Sequence, residues 1–549
     1  MNFMKKNKII VGSTMIMMAI GLAACGKSNS ASQTSNNGTT KPINWMETAD
    51  LSTLDPSKVA DAVTSNTISN IQQGLLVSGN NGKINYGIAK SYDVSKDGKT
   101  YTFHLRDAKW SNGEDVTADD FVYGIQRTVD PKTTSQSSYD MDHIKNYDEV
   151  QKGTKPVTDL GVYAPNKHTV VFNLSSPQPY FKYLVTGTDF FPQKKAYVKE
   201  KGSKFGSSSD NDIYDGPFTM TGWNGTNDTW NLVKNKYYWN AKNTKIDKVK
   251  VSAEKDSNTA FNEYQSGQLD EMMLSSKEQV KHFKNSPEYH QRTNSGVYFI
   301  EMNEKKVPAF RNSNIRKAMS MIINRSQFTK DVMGDGSVPA KGIAAQGISY
   351  NNGNDFADAS YVKDAVTYNK DKAIQYWKKG MKEIGKKSIT IDLLYDDTTL
   401  GKSVNEFLQN VAFSQLPGLK VTTTTIPMKN RMARQNSGNF DITVAGWETN
   451  YPDPISYLQL MTSDSSTNYG KWSNKEYDQL VKAASTTDAN NPAKRWNDMV
   501  KAEKILMNEQ GIIPFYQRSQ PQVLKTNIKN VGYSATGAMW YLGDAYIEK

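Results

Sequence analysis

Two hydrophobic rhythms alternate along this chain. Tyr101, Phe103 and Leu105 fall on one side of an extended segment, with Thr102, His104 and Arg106 on the other. That two-residue period is the mark of a half-buried strand. Val170, Phe172 and Leu174 repeat it, and residues 440–447 form a near-continuous strand pattern running to Gly446-Trp447. Elsewhere the spacing is helical. Ile315, Ala318, Met319 and Ile322 share one face, as do Ala373, Trp377, Met381 and Ile384, with Asn369 placed to cap. Thr117 with Asp120 reads as a capping box ahead of Phe121, Val122 and Ile125. Asn491-Pro492 opens a helix carrying Trp496, Val500 and Met507, which Gly511 closes before the short extended run 512–516. Strand and helix signals alternate with no repeat of 20 to 50 residues, so the fold class is α/β.

The N-terminus departs from this pattern. Lys5, Lys6 and Lys8 precede an apolar run over 9–24 that ends in Leu22-Ala23-Ala24-Cys25. Basic residues, an apolar stretch and small residues make a secretory signal. Gly12, Ser13 and Thr14 interrupt the run, which falls short of the ~20 residues of a membrane span. Leu22-Ala23-Ala24-Cys25 resembles the lipobox of bacterial lipoproteins. The resemblance implies cleavage after residue 24 and acyl chains on Cys25, with the protein held extracellularly at the outer face of the cell membrane. The alternative is a buried thiol in an uncleaved helix. Residues 27–41, rich in Ser, Asn, Thr, Gln and Gly, bury too little to fold and read as a tether, and folded sequence begins near Ile43.

Composition narrows the function. The formal charge is +11, but the lysines are scattered rather than clustered, so they describe a solvated surface and no nucleic-acid partner. Cys25 is the only cysteine, which rules out an internal disulfide. The five histidines show no metal-ligand spacing, there is no Gly-x-Ser-x-Gly elbow, and Gly334-Asp335-Gly336 reads as a turn. Neighbouring acids such as Asp119/Asp120 and Asp396/Asp397 do not face each other across a bond. No catalytic residue, metal or cofactor emerges. A secreted hydrolase using acids from distant segments stays as the alternative of another class. Aromatics beside polar residues (Tyr237-Tyr238-Trp239, Trp447 with Tyr451, Trp540-Tyr541) suit ligand contact as well as core packing.

Within 89–127 stand Asp97-Gly98, Tyr101-Thr102-Phe103, Lys109-Trp110-Ser111-Asn112-Gly113, Val116-Thr117-Ala118 and Asp120-Phe121-Val122-Tyr123. This string resembles the signature of the extracellular oligopeptide-binding proteins of ABC transporters. Leu54-Asp55-Pro56, Tyr238-Trp239, Arg316-x-Ala318 and Ala445-Gly446-Trp447 extend the similarity over 54–516. The resemblance implies a two-lobed, periplasmic-binding-protein-like clamshell of type II, with an additional α/β domain on the first lobe. Lobe one would comprise 43–75, 201–298 and 518–549, the extra domain 76–200 and lobe two 299–517, after a signal over 1–24 and a tether over 25–42. It further implies a monomer that grips an extended oligopeptide by strand addition and delivers it to permease subunits.

The resemblance also nominates ligand-binding residues. Ala60-Asp61-Ala62 and Gly446-Trp447-Glu448 match segments that pair with peptide backbone. Tyr139 and Tyr516 match cleft positions, Tyr451 follows in the same loop as Trp447, and Asp215 stands where relatives usually have asparagine before Gly216. Members that bind a free peptide N-terminus carry aspartate where this chain has Asn450. Asparagine cannot pair with an ammonium ion, so three readings follow. Glu448 or Asp453 takes the amine; or the ligand is a longer, blocked or cyclic peptide; or it is not a peptide, with sugar favoured over nickel. Positions 444 and 401, where some relatives place positive groups for a peptide C-terminus, hold Val444 and Gly401.

Overall fold

The computed structural model describes residues 41–79 and 83–548, so the signal, Cys25 and most of the tether lie outside the described residues. Among the described residues no helix is long and apolar enough to cross a membrane.

The strand Ile43–Glu47 runs parallel to Lys248–Ala253, which pairs antiparallel with Thr229–Lys234 and then Phe218–Thr221. Trp45 is buried in this sheet and meets Trp540, ring centroids 4.9 Å apart, so residues near both ends of the described chain share one core. A separate antiparallel sheet holds Ala89–Val94, Thr100–Leu105, Thr169–Asn173 and Val162–Asn166 in that order. Tyr101, Phe103 and Leu105 are buried there as their spacing requires. The helix Ala118–Val129 packs on it, its start fixed by Thr117 and Asp120 bonding reciprocally.

The largest sheet has six strands in the order Val338–Pro339, Ile513–Ser519, Thr293–Met302, Ile442–Trp447, Ile389–Asp396, Leu419–Ile426. The helices Ser313–Met321 and Lys370–Glu383 pack on it through Ile315, Met319, Trp377 and Met381. A three-stranded sheet of Glu271–Met273, Gln522–Leu524 and Tyr289–His290 adjoins it in sequence. The chain therefore leaves this small sheet between His290 and Thr293 and returns between Ser519 and Gln522, on neighbouring antiparallel strands. This mixed, two-lobed α/β arrangement is the fold class expected from the sequence.

Two local expectations differ. In the helix Pro492–Glu509, Trp496 and Val500 are only half-buried, and the covered face is Arg495, Met499, Ala502, Glu503 and Leu506. Polar side chains occupy that face because each finds a partner, Arg495 on Asp453 and Glu503 on Ser360 and the Ala344 amide. Gln510, not Gly511, takes the left-handed conformation (φ 54°) that ends the helix. Gly511 instead admits Trp472, which would lie 2.7 Å from any Cβ placed there.

Candidate functional site

A cavity of about 630 Å³ opens between the helix Ala62–Ile71, the segment 136–140, the segment 183–191, the loop 448–450 and the segment 535–541. On one side, Asp61 caps the helix, accepting from the Thr64 amide at 2.8 Å and from the Ser52 hydroxyl at 2.7 Å. This leaves Ala60, Asp61 and Ala62 exposed at the rim. The buried face of the same helix fixes the floor. Asn66 accepts from the Met539 amide at 2.7 Å, and Asn70 from the Leu542 amide at 2.8 Å. Glu47 accepts from the Trp540 indole N–H at 2.8 Å, and burial pushes its carboxyl up to about 8.

Asp215 is buried and does not line the cavity. It accepts from the Gln73 amide at 3.0 Å, and Gln73, whose side chain joins Tyr238 and Trp239, does line it. Burial holds the Asp215 carboxyl well above the ordinary carboxylate range.

The opposite side begins at the strand Ile442–Trp447. It pairs with Thr293–Met302 through Trp447, but with Ile389–Asp396 only at Ile442 and Thr443. Among the described residues the backbone of 444–447 thus has no strand partner on that second side, and the edge leads into the cavity lip at Glu448, Thr449 and Asn450. Gly446 is exposed, and a Cβ on it would come within 2.7 Å of Tyr298. Neither Gly446 nor Trp447 contacts the cavity itself.

Tyr516 is buried behind this edge, stacked on Tyr298 with centroids 4.7 Å apart, and supports the sheet without lining the cavity. Tyr451 stacks face to face on Tyr180 at 4.6 Å, tying the lip to the segment that follows the strand Thr169–Asn173. Asp453 also lies away from the cavity. Both its oxygens accept from Arg495 at 2.8 Å, so it is not available to a ligand amine. Glu448 lines the cavity, 3.7 Å from Arg518. Tyr139, 58% exposed, stands across from the lip, its hydroxyl 3.5 Å from the Asn450 amide nitrogen.

Of the nominated residues, the structure brings together Ala60, Asp61, Ala62, Tyr139, Glu448 and Asn450 at the cavity. It places Asp215, Gly446, Trp447, Tyr451, Asp453 and Tyr516 behind or beside it. Sequence reasoning missed Asp140, Asp189, Arg518, Gln73 and the segment 535–539. Trp540-Tyr541, flagged as aromatics beside polar residues, do line the cavity. No group of three His, Cys, Asp or Glu side chains is positioned for a metal among the described residues.

An open cavity walled from two lobes, with its polar side chains held from behind, defines a solute-binding protein. Residues 83–469 match the family described as bacterial extracellular solute-binding proteins, family 5 (middle), and the chain belongs to that family. It is similar to the dipeptide-binding protein of Lactococcus lactis subsp. cremoris (strain MG1363), 33% identical over 99% of this chain and 100% of the relative. Among solved structures it resembles Listeria monocytogenes OppA bound to peptide, at 34% identity, a TM-score of 0.67, and coverage of 92% of this chain and 99% of that one. The unliganded open form of the periplasmic murein tripeptide binding protein MppA superposes better despite 28% identity. Its TM-score is 0.82, covering 92% of this chain and 97% of that one. These relatives are solute-binding proteins and not enzymes.

Proposed function

We propose that this chain is the lipid-anchored, extracellular receptor of a peptide ABC importer. In this reading it binds an oligopeptide in extended form between its lobes and hands it unaltered to the permease. The observation that carries the reading is the unpaired strand edge over 444–447, which leads into the lip of a cavity rimmed on its far side by Ala60-Asp61-Ala62. Such an edge offers main-chain donors and acceptors to any peptide, and the volume lies within the ~300–1,000 Å³ of small-ligand sites. The dipeptide-binding and peptide-bound relatives support it. We assign lobe one to 43–75, 201–298 and 518–549, the added domain to 76–200, and lobe two to 299–517. The receptor acts as a monomer, and Cys25 carries the lipid.

Mass spectrometry of ligand released by denaturing the purified protein tests the reading. Short peptides are expected, whereas oligosaccharide or another non-peptide ligand overturns it. Cys25→Ser is expected to release the protein into the medium, and its retention at the membrane counts against the anchor.

A further inference from the structure

The cavity's charges run against those of the chain. The whole sequence carries +11, yet the charged side chains lining the cavity are Asp61, Asp140, Asp189 and Glu448 against Arg518 alone. Two of the four acids are already engaged: Asp61 caps its helix, and Glu448 faces Arg518. Asp140 and Asp189 are not. Among the described residues neither has a cationic side chain as partner. Asp189 is 6% exposed, and its Oδ2 has no hydrogen-bond partner there. Its backbone is locked in the short helix Thr188–Phe190, where its carbonyl accepts from Thr128 at 3.2 Å. Asp140, in the helical turn Ser138–Met141, sits near enough to Asp189 for the two carboxylates to repel.

Asn450 reaches toward this pair from the opposite lip, its amide nitrogen 3.5 Å from the hydroxyl of Tyr139, the residue before Asp140. An aspartate at 450 would add a third negative charge to the same space. The asparagine is therefore the side chain compatible with carboxylates on the other wall, and its Oδ1 remains as an acceptor.

We propose that Asp140 and Asp189 receive the positively charged end of the ligand, the free α-amine of a peptide, with Asn450 as the neutral third member of the site. The assignment rests on the peptide reading above and deepens it. An ammonium group carries three donors and no acceptor, which fits two carboxylates and an amide oxygen. Burial pushes the Asp140 carboxyl up to about 6, and burial with the Asp140 charge holds Asp189 well above the ordinary range. A cation between them removes that cost. Recognition of the amine thus passes from the lip, where a single charged side chain would hold it, to the facing wall.

The test compares pools of mixed-sequence tri- to hexapeptides with free and with N-acetylated ends. Equilibrium binding is measured to the wild-type protein, to Asp140→Asn, to Asp189→Asn and to the double variant. The wild type is expected to favour the free-amine pool by about tenfold or more, the difference between charged and neutral hydrogen bonds. In the double variant the ratio of free to acetylated binding is expected to fall toward one, with each single variant between. That ratio, unlike affinity alone, does not move when a substitution merely loosens the fold. Equal binding of both pools by the wild type, or a preference that survives in the double variant, overturns the assignment and leaves the peptide reading standing. Failure of both pools to bind the wild type overturns the peptide reading, and this assignment with it.

Discussion

Two buried aspartates near the cavity have opposite surroundings. Asp453, behind the lip, receives both arms of Arg495 at 2.8 Å and also accepts from the Ile455 amide. Asp189, on the facing wall, is as thoroughly buried but has one oxygen unbonded and another carboxylate for a neighbour. The first is a strut that holds the loop 448–453 in place. The second is a cost the fold carries at a surface that faces the cavity. Residue type does not separate them; the partner does.

Removing the strut's cation is the strongest way to probe this contrast. Arg495→Ala leaves Asp453 buried and unpaired and is expected to cost about 3–5 kcal/mol in denaturant unfolding. A loss below 1 kcal/mol would show that the pair is not structural. A third kind of buried acid sharpens the comparison through pH. Glu47 and Glu271 are held by neutral donors, and burial pushes each up to about 8. A carboxyl raised in the folded state binds its proton more tightly than in the unfolded chain. The stabilisation is thus fully present below about 4.5 and is lost as pH rises toward 8. The melting temperature is expected to fall across that window, and Glu271→Gln to flatten the slope; an unchanged slope would contradict the burial argument.

Asp61→Ala removes a helix cap at the rim and is expected to cost about 1 kcal/mol. Asp189→Asn closes the series with a stability change of less than about 1 kcal/mol, since it exchanges a costly buried acid for a neutral group. A loss comparable to that of Arg495→Ala would erase the distinction between strut and receptor.

How much of this was readable in the chain depends on how local each feature is. The strand Thr100–Leu105 and the start of the helix Ala118–Val129 follow from a two-residue period and a four-residue capping pattern, so their causes lie within the segments themselves. The helix Pro492–Glu509 was legible as a helix but not in its orientation. Arg495 and Glu503 look like solvent residues until their partners, 42 and 143 residues away, are in place. The site divides the same way. The cavity rim at 60–62 and the lip residues Glu448 and Asn450 stood out by resemblance to a known family. Asp140 and Asp189 did not, because their character comes from two turns brought together on one wall of the cavity rather than from any neighbour in sequence.

The two passages at 290–293 and 519–522 run side by side, and Trp45 meets Trp540 in the core shared by the first and last described segments. Everything between those passages is thus an insert whose entry and exit lie on neighbouring strands. Such a piece is suited to transplantation. A chimera that exchanges 294–518 for a relative's counterpart is expected to keep both crossings in place, and its ligand preference would show which part of the chain sets the choice of ligand.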